Sequence, residues 1–167
     1  MTKVRTLLAT AVLMLLAALF GAGATATSAI ADTPTKSGNQ LTGTWTVTVN
    51  RPAPLPPLKS VQVYTSSGSF IEMSNEPQAS RTAQYGAWER THGRTYAATG
   101  VFYRFDAQGS FVGTTKINRT IELAPDGKTF QHIARVGVYD AGDHLVSSVV
   151  AKASGVRMPV ERISDVP

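Results

Sequence analysis

The stretch SFVGTTKINRTIELAPDGKTFQHIARVGVY, residues 110–139, decides the fold. In its first half Val112, Thr114, Lys116, Asn118, Thr120 and Glu122 are mostly polar, whereas Phe111, Gly113, Thr115, Ile117, Arg119, Ile121 and Leu123 are mostly apolar. Such alternation marks a half-buried strand, so the odd positions face inward. Asp126-Gly127 is a two-residue turn of the kind that accepts positive φ. It predicts a hairpin pairing Leu123 with Phe130 and Ile121 with His132, so that Phe130, His132, Ala134, Val136 and Val138 share the interior. The same rule at Ala141-Gly142 turns Leu145, Ser147, Val149 and Ala151 inward.

Working back from this strand, Asp106 and Gly109 suit a three-residue loop closed by a glycine bulge. Phe105 then pairs with Phe111, and Phe105, Tyr103, Val101, Thr99 and Ala97 point inward; a different loop would exchange Val101 for Phe102. A His92-Gly93 turn pairs Thr91 with Arg94 and Trp88 with Ala97, leaving Trp88 and Gly86 inward and Glu89 and Thr91 outward. The dense polar run YGAWERTHGRTY, 85–96, is therefore a hairpin rather than a convergent catalytic cluster. Earlier still, SVQVYTS (60–66) and SFIEMS (69–74) flank Ser67-Gly68, and LTGTWTVTV (41–49) gathers Leu41, Gly43, Trp45, Val47 and Val49 on one face. NRPAPLPPLK between them is too rich in proline to donate to a ladder and reads as a loop.

Eight strands result, roughly 41–49, 60–66, 69–74, 85–91, 94–105, 110–124, 128–139 and 144–157, with no helical apolar stripe. Nearly every connection is hairpin-like, which predicts an all-β, eight-stranded antiparallel up-and-down barrel, since closure removes the edges a meander leaves open. A barrel of this size holds packed side chains or one small ligand.

Lys3 and Arg5, the apolar run Leu7 to Phe20, and the small-residue patterns Ala24-Thr25-Ala26 and Ala29-Ile30-Ala31 have the layout of an export signal over residues 1–31. The run is short of the ~20 residues a bilayer span needs, so no stable membrane anchor is expected after cleavage. A polar lead (32–40), a barrel domain (41–158) and a tail (159–167) follow, and the expected location is secreted or extracytoplasmic. Subtracting 31 from 167 residues leaves 136, enough for one core. The absence of cysteine excludes disulfides, thiolate metal sites and a catalytic thiol. Without Lys3 and Arg5 the 16 basic residues become 14 against 11 acidic, a net +3 that is too scattered to imply nucleic acid.

Two inward polar residues stand out, Arg119 and His132, on neighbouring strands. One reading makes them the polar end of an apolar cavity, with Arg119 clamping an anion or carbonyl, His132 hydrogen-bonding, Trp88 stacking, and Tyr103 and Phe130 lining the ligand. The other makes Arg119 a structural residue, stacked on Trp88 or paired with an acid, and His132 a satisfied core imidazole. The three histidines, His92, His132 and His144, lack zinc-ligand spacing, and no phosphate loop, nucleophile turn or inward carboxylate pair appears. No metal or cofactor is called for, and no catalytic residue is evident. Asn118-Arg119-Thr120 matches the glycosylation acceptor pattern, whose use depends on the host.

LTGTW opening the first strand, the eight-strand meander, and Gly155-Val156-Arg157 ending the last together resemble the lipocalin-like, or calycin, barrels. The resemblance covers most of residues 41–157 and rests on Gly43, Trp45 and Arg157, which it casts as the structural closure of one barrel end. The chain also resembles bacterial secreted proteins of this type. It differs from lipocalins in having a proline-rich loop where they carry a lid, and avidin-like barrels share only the GTW opening. The resemblance implies binding of a small apolar or amphipathic ligand. The alternatives are an isomerase or cyclase resembling allene oxide cyclase and dirigent barrels, or a filled interaction barrel with Tyr64, Tyr96 and Tyr139 exposed.

Overall fold

The computed structural model describes residues 40–51 and 54–165. The expected export signal and nearly all of the polar lead lie outside the described residues. Eight strands follow in order: β1 (Gly43–Asn50), β2 (Leu58–Tyr64), β3 (Ser69–Ser74), β4 (Gln84–His92), β5 (Thr95–Phe105), β6 (Phe111–Leu123), β7 (Thr129–Tyr139) and β8 (Leu145–Arg157). Each pairs antiparallel with the next, and β8 returns to β1 to close the barrel.

The central hairpin has the expected register, Leu123 opposite Phe130 and Ile121 opposite His132. From Gly113 onward the odd residues of β6 face inward, as do Phe130, His132 and Ala134 of β7. β5 is turned over relative to the expectation. Phe105 does face Phe111, but the next pair is Arg104 with Gly113, which leaves Val112 as an extra residue. That bulge requires Gly113: its φ is 137°, and a Cβ there would lie 2.1 Å from the Tyr139 carbonyl oxygen. One extra residue reverses parity. Tyr96, Ala98, Gly100 and Phe102 therefore point inward, while Thr99 and Tyr103 point out; Phe111, beyond the bulge, is also exposed.

A second offset lies between β4 and β5. The turn falls on Gly93-Arg94, so His92 faces Thr95, and Thr91 is skipped before Arg90 meets Tyr96. Trp88 is consequently opposite Ala98 rather than Ala97, yet still inward against the core. A third irregularity lies between Val138 and Tyr139 beside Leu145; of the residues expected inward on β8, Leu145, Ser147 and Val149 are exposed at this end, while Val149 and Ala151 still border the cavity.

One end of the barrel is filled. Leu41, Trp45, Tyr64, Phe70, Tyr96, Ile121, Leu123 and Phe130 are each at most 2% exposed there, which corrects the expectation of outward Tyr64 and Tyr96. Trp45 and Phe130 meet at 4.8 Å, and Trp88 lies edge-on to Tyr64 (6.0 Å) and Tyr96 (5.7 Å). Arg157 closes this end. Its guanidinium lies 4.2 Å from the Trp45 ring centre and donates to the carbonyls of Gly127 (2.8 Å), Thr42 (2.7 Å) and Gln40 (2.6 Å). A Cβ on Gly43 would come within 2.6 Å of that guanidinium. The Trp45 indole N–H donates to the Leu41 carbonyl at 2.8 Å, so the ring is fixed from both sides.

Arg157→Met keeps the stem but removes three charge-assisted hydrogen bonds to backbone carbonyls. Urea unfolding should show a loss of ~2–4 kcal/mol with an unchanged m-value.

Candidate functional site

The other half of the barrel is hollow. A cavity of about 330 Å³ opens where β1, β3, β5 and β7 end, walled by apolar residues that include Leu58, Phe102, Ile117, Ala134, Val136 and Ala151. The proline-rich loop leaves β1 at this mouth, where the Arg51 Nε donates to the Pro56 carbonyl at 2.8 Å. On the rim, Glu76 accepts from Arg81 at 2.9 Å and pairs with Arg51 at 3.5 Å. The Arg81 guanidinium in turn covers the Phe102 ring at 3.5 Å.

The cavity ends on a polar floor. Gln62, Glu72 and Gln84 are direct cross-strand neighbours on β2, β3 and β4, and all point inward. Arg119 reaches them from β6. Its Nη2 donates both to the Glu72 carboxylate and to the Gln84 Oε1 (2.6 Å), and the two charged side chains are 3% and 5% exposed. A buried charge needs such a partner, because desolvation of either ion alone costs several kcal/mol. The remaining polar capacity is unbalanced. Arg119 Nε and Nη1, Gln62 Nε2, Gln84 Nε2 and His132 Nδ1 have no partner, whereas Gln62 Oε1 accepts from the Tyr64 hydroxyl at 2.8 Å.

Burial, reinforced by the positive charge of Arg119, pushes the His132 pKa down to about 3, so the imidazole is neutral. Burial also holds the Tyr64 phenol protonated well above its usual range. The floor thus contains one neutralised ion pair, a neutral imidazole and a surplus of N–H donors. It is suited to donating hydrogen bonds to an uncharged group.

Of the residues expected to bind ligand, Arg119 and His132 line the cavity. Trp88 and Phe130 belong to the filled end, where the Trp88 indole N–H donates to the Thr65 and Ser69 carbonyls (3.1 and 3.2 Å). Tyr103 is 54% exposed on the outer face, packed edge-on against Phe111 at 5.8 Å, because of the Val112 bulge. Arg119 lies over Phe70 (5.2 Å) rather than Trp88.

The sequence does not mark Glu72, Gln62 and Gln84 as inward, and the reason is physical. In VQVY and FIEM the β-branched and aliphatic residues Val61, Val63, Ile71 and Met73 face outward, so ordinary polarity points the wrong way. The usable signal was Phe70 and Tyr64, large aromatics sharing parity with Glu72 and Gln62. Among the described residues no cluster of three or more His, Asp or Glu side chains forms a metal site. The chain matches no family model, and it has no significant match among curated proteins or solved structures.

Two outcomes follow from the floor. Removing one ion, as in Arg119→Met, should cost ~3–5 kcal/mol by strandening the other charge, and adding Glu72→Leu should restore part of it in a double-mutant cycle. For His132 the unfolded state binds a proton below pH 6.5 while the folded state does not until about pH 3. Stability should therefore fall as pH drops through that window, by up to ~1.4 kcal/mol per pH unit. Urea titrations at several pH values, compared with His132→Gln, would measure this slope and its removal.

Proposed function

We propose that this protein is an exported binding barrel that holds one small, partly apolar ligand in its hollow half. The observation that carries this reading is the cavity of about 330 Å³, with mostly apolar walls between a charged rim and a polar floor. That is the usual composition and lower size range of small-molecule sites, in which a few placed polar groups orient an apolar body. The Gly43, Trp45 and Arg157 arrangement at the filled end supports a lipocalin-like assignment, and binding is consistent with it. Export rests on Lys3, Arg5 and the apolar run Leu7 to Phe20, with the mature domain acting outside the cytoplasm. The expected partner is a small apolar or amphipathic molecule. An interaction barrel with a filled interior is disfavoured by the cavity and by the burial of Tyr64 and Tyr96. An isomerase or cyclase would use the same cavity and would reveal itself by turnover of the retained compound.

The mature chain, incubated with a lipid and metabolite extract, washed and analysed by mass spectrometry, should retain a narrow set of compounds near one per barrel. Ala151→Phe, which places a ring in the cavity, should reduce retention by at least about tenfold with little change in melting temperature. Equal retention by this variant, or none by the wild type, would refute the proposal.

A further inference from the structure

The floor also specifies the chemistry of the ligand's inner end, on the premise that the cavity is a binding site. We infer that the deep end of the cavity takes an uncharged hydrogen-bond acceptor, a ketone, aldehyde, ester or lactone oxygen, and discriminates against a carboxylate.

An inward arginine by itself would suggest an anion clamp. Here its charge is already matched by Glu72, which it contacts directly, and both side chains are almost wholly buried. A carboxylate brought to Arg119 would place two negative groups around one guanidinium in a poorly solvated space. Repulsion from Glu72 and the desolvation of the incoming charge both oppose it. Among the described residues no second cation offsets this at the floor, since Gln62 and Gln84 are uncharged and His132 is neutral until about pH 3. The surplus arginine charge lies at the mouth instead, where Arg51 and Arg81 share one carboxylate, Glu76.

The unmet hydrogen bonds point the same way. Buried polar atoms are normally partnered, and those left over mark what an occupant must supply. Gln62, Arg119 and His132 all line the cavity. Their unpartnered atoms are the donors Arg119 Nε and Nη1 and Gln62 Nε2, with His132 Nδ1 able to serve in either sense. The deficit is therefore in acceptors. A carbonyl oxygen brings two lone pairs and no charge, which meets that deficit without disturbing the ion pair. An ammonium, the form of octylamine at neutral pH, brings only donors to a place that already has too many.

The test uses a matched eight-carbon series with the wild-type mature chain at neutral pH: 2-octanone, octanoate and octylamine, each competed against a fluorescent apolar probe. The ketone should bind at least about tenfold more tightly than octanoate or octylamine. The infrared carbonyl band of bound, isotopically labelled 2-octanone should move below its position in alkane solvent, as hydrogen bonding to the floor requires. Glu72→Gln keeps the shape and an acceptor for Arg119 but frees its charge, so the preference for ketone over octanoate should shrink or reverse. Should that variant not fold, the wild-type ranking and the infrared shift decide the matter alone. Octanoate binding as tightly as the ketone, or a carbonyl band at its alkane position, overturns this inference while leaving the binding barrel intact. Failure of every probe, the fluorescent one included, overturns both.

Discussion

The buried contact between Arg119 and Glu72 organises this barrel. An ion pair cannot be packed like a leucine, because its charges must remain close to one another and its other polar atoms require partners. Gln84 accepts from Arg119 for that reason, Gln62 lies opposite Glu72 on β2, and the polar layer they form separates two unlike halves. On one side aromatic rings interdigitate around Trp45, Phe70 and Phe130. On the other, Ala134, Val136 and Ala151 line the wall together with Leu58, Phe102 and Ile117, and the space stays open. Replacing the layer with apolar side chains would remove the obstacle to continuous packing, so the same feature that costs desolvation energy also preserves the hollow.

Much of the fold was legible because its signals are local. Strand alternation, the Asp126-Gly127 turn and the Trp45 opening each act within a few residues, and together they imply the strand count, the closure and the register of the central hairpin. What escaped were the single-residue insertions. The bulge at Val112 depends on the backbone of Gly113 passing against Tyr139, a contact 26 positions away in sequence, and nothing in the local pattern announces it. A parity error at such a point carries along the whole strand, which is how Tyr103 changed sides.

The candidate site was legible in part, for a related reason. Arg119 and His132 are conspicuous because each interrupts an apolar face whose direction a neighbouring hairpin confirms. Glu72 and Gln62 interrupt nothing, since the residues flanking them are the apolar ones and those face solvent. Beside the cavity floor β2 and β3 turn Gln62 and Glu72 inward and Val61, Val63, Ile71 and Met73 outward, an inversion that the position of the arginine accounts for, while Tyr64 and Phe70 on the same inner face pack into the core. A charge on β6 thus dictates the composition of β3, 47 positions earlier in the chain.

The closure by Arg157 has a consequence in time as well as in space. The last residue of the last strand binds the carbonyls of Gln40 and Thr42, and β8 zips onto β1 across more than a hundred intervening residues. Such distant pairing is slow, because chain entropy must be given up before the contact rewards it. A chain delivered N-terminus first cannot make this seam until its final strand arrives. Until then β1 lacks its β8 partner and Trp45 lacks the guanidinium that lies over its ring.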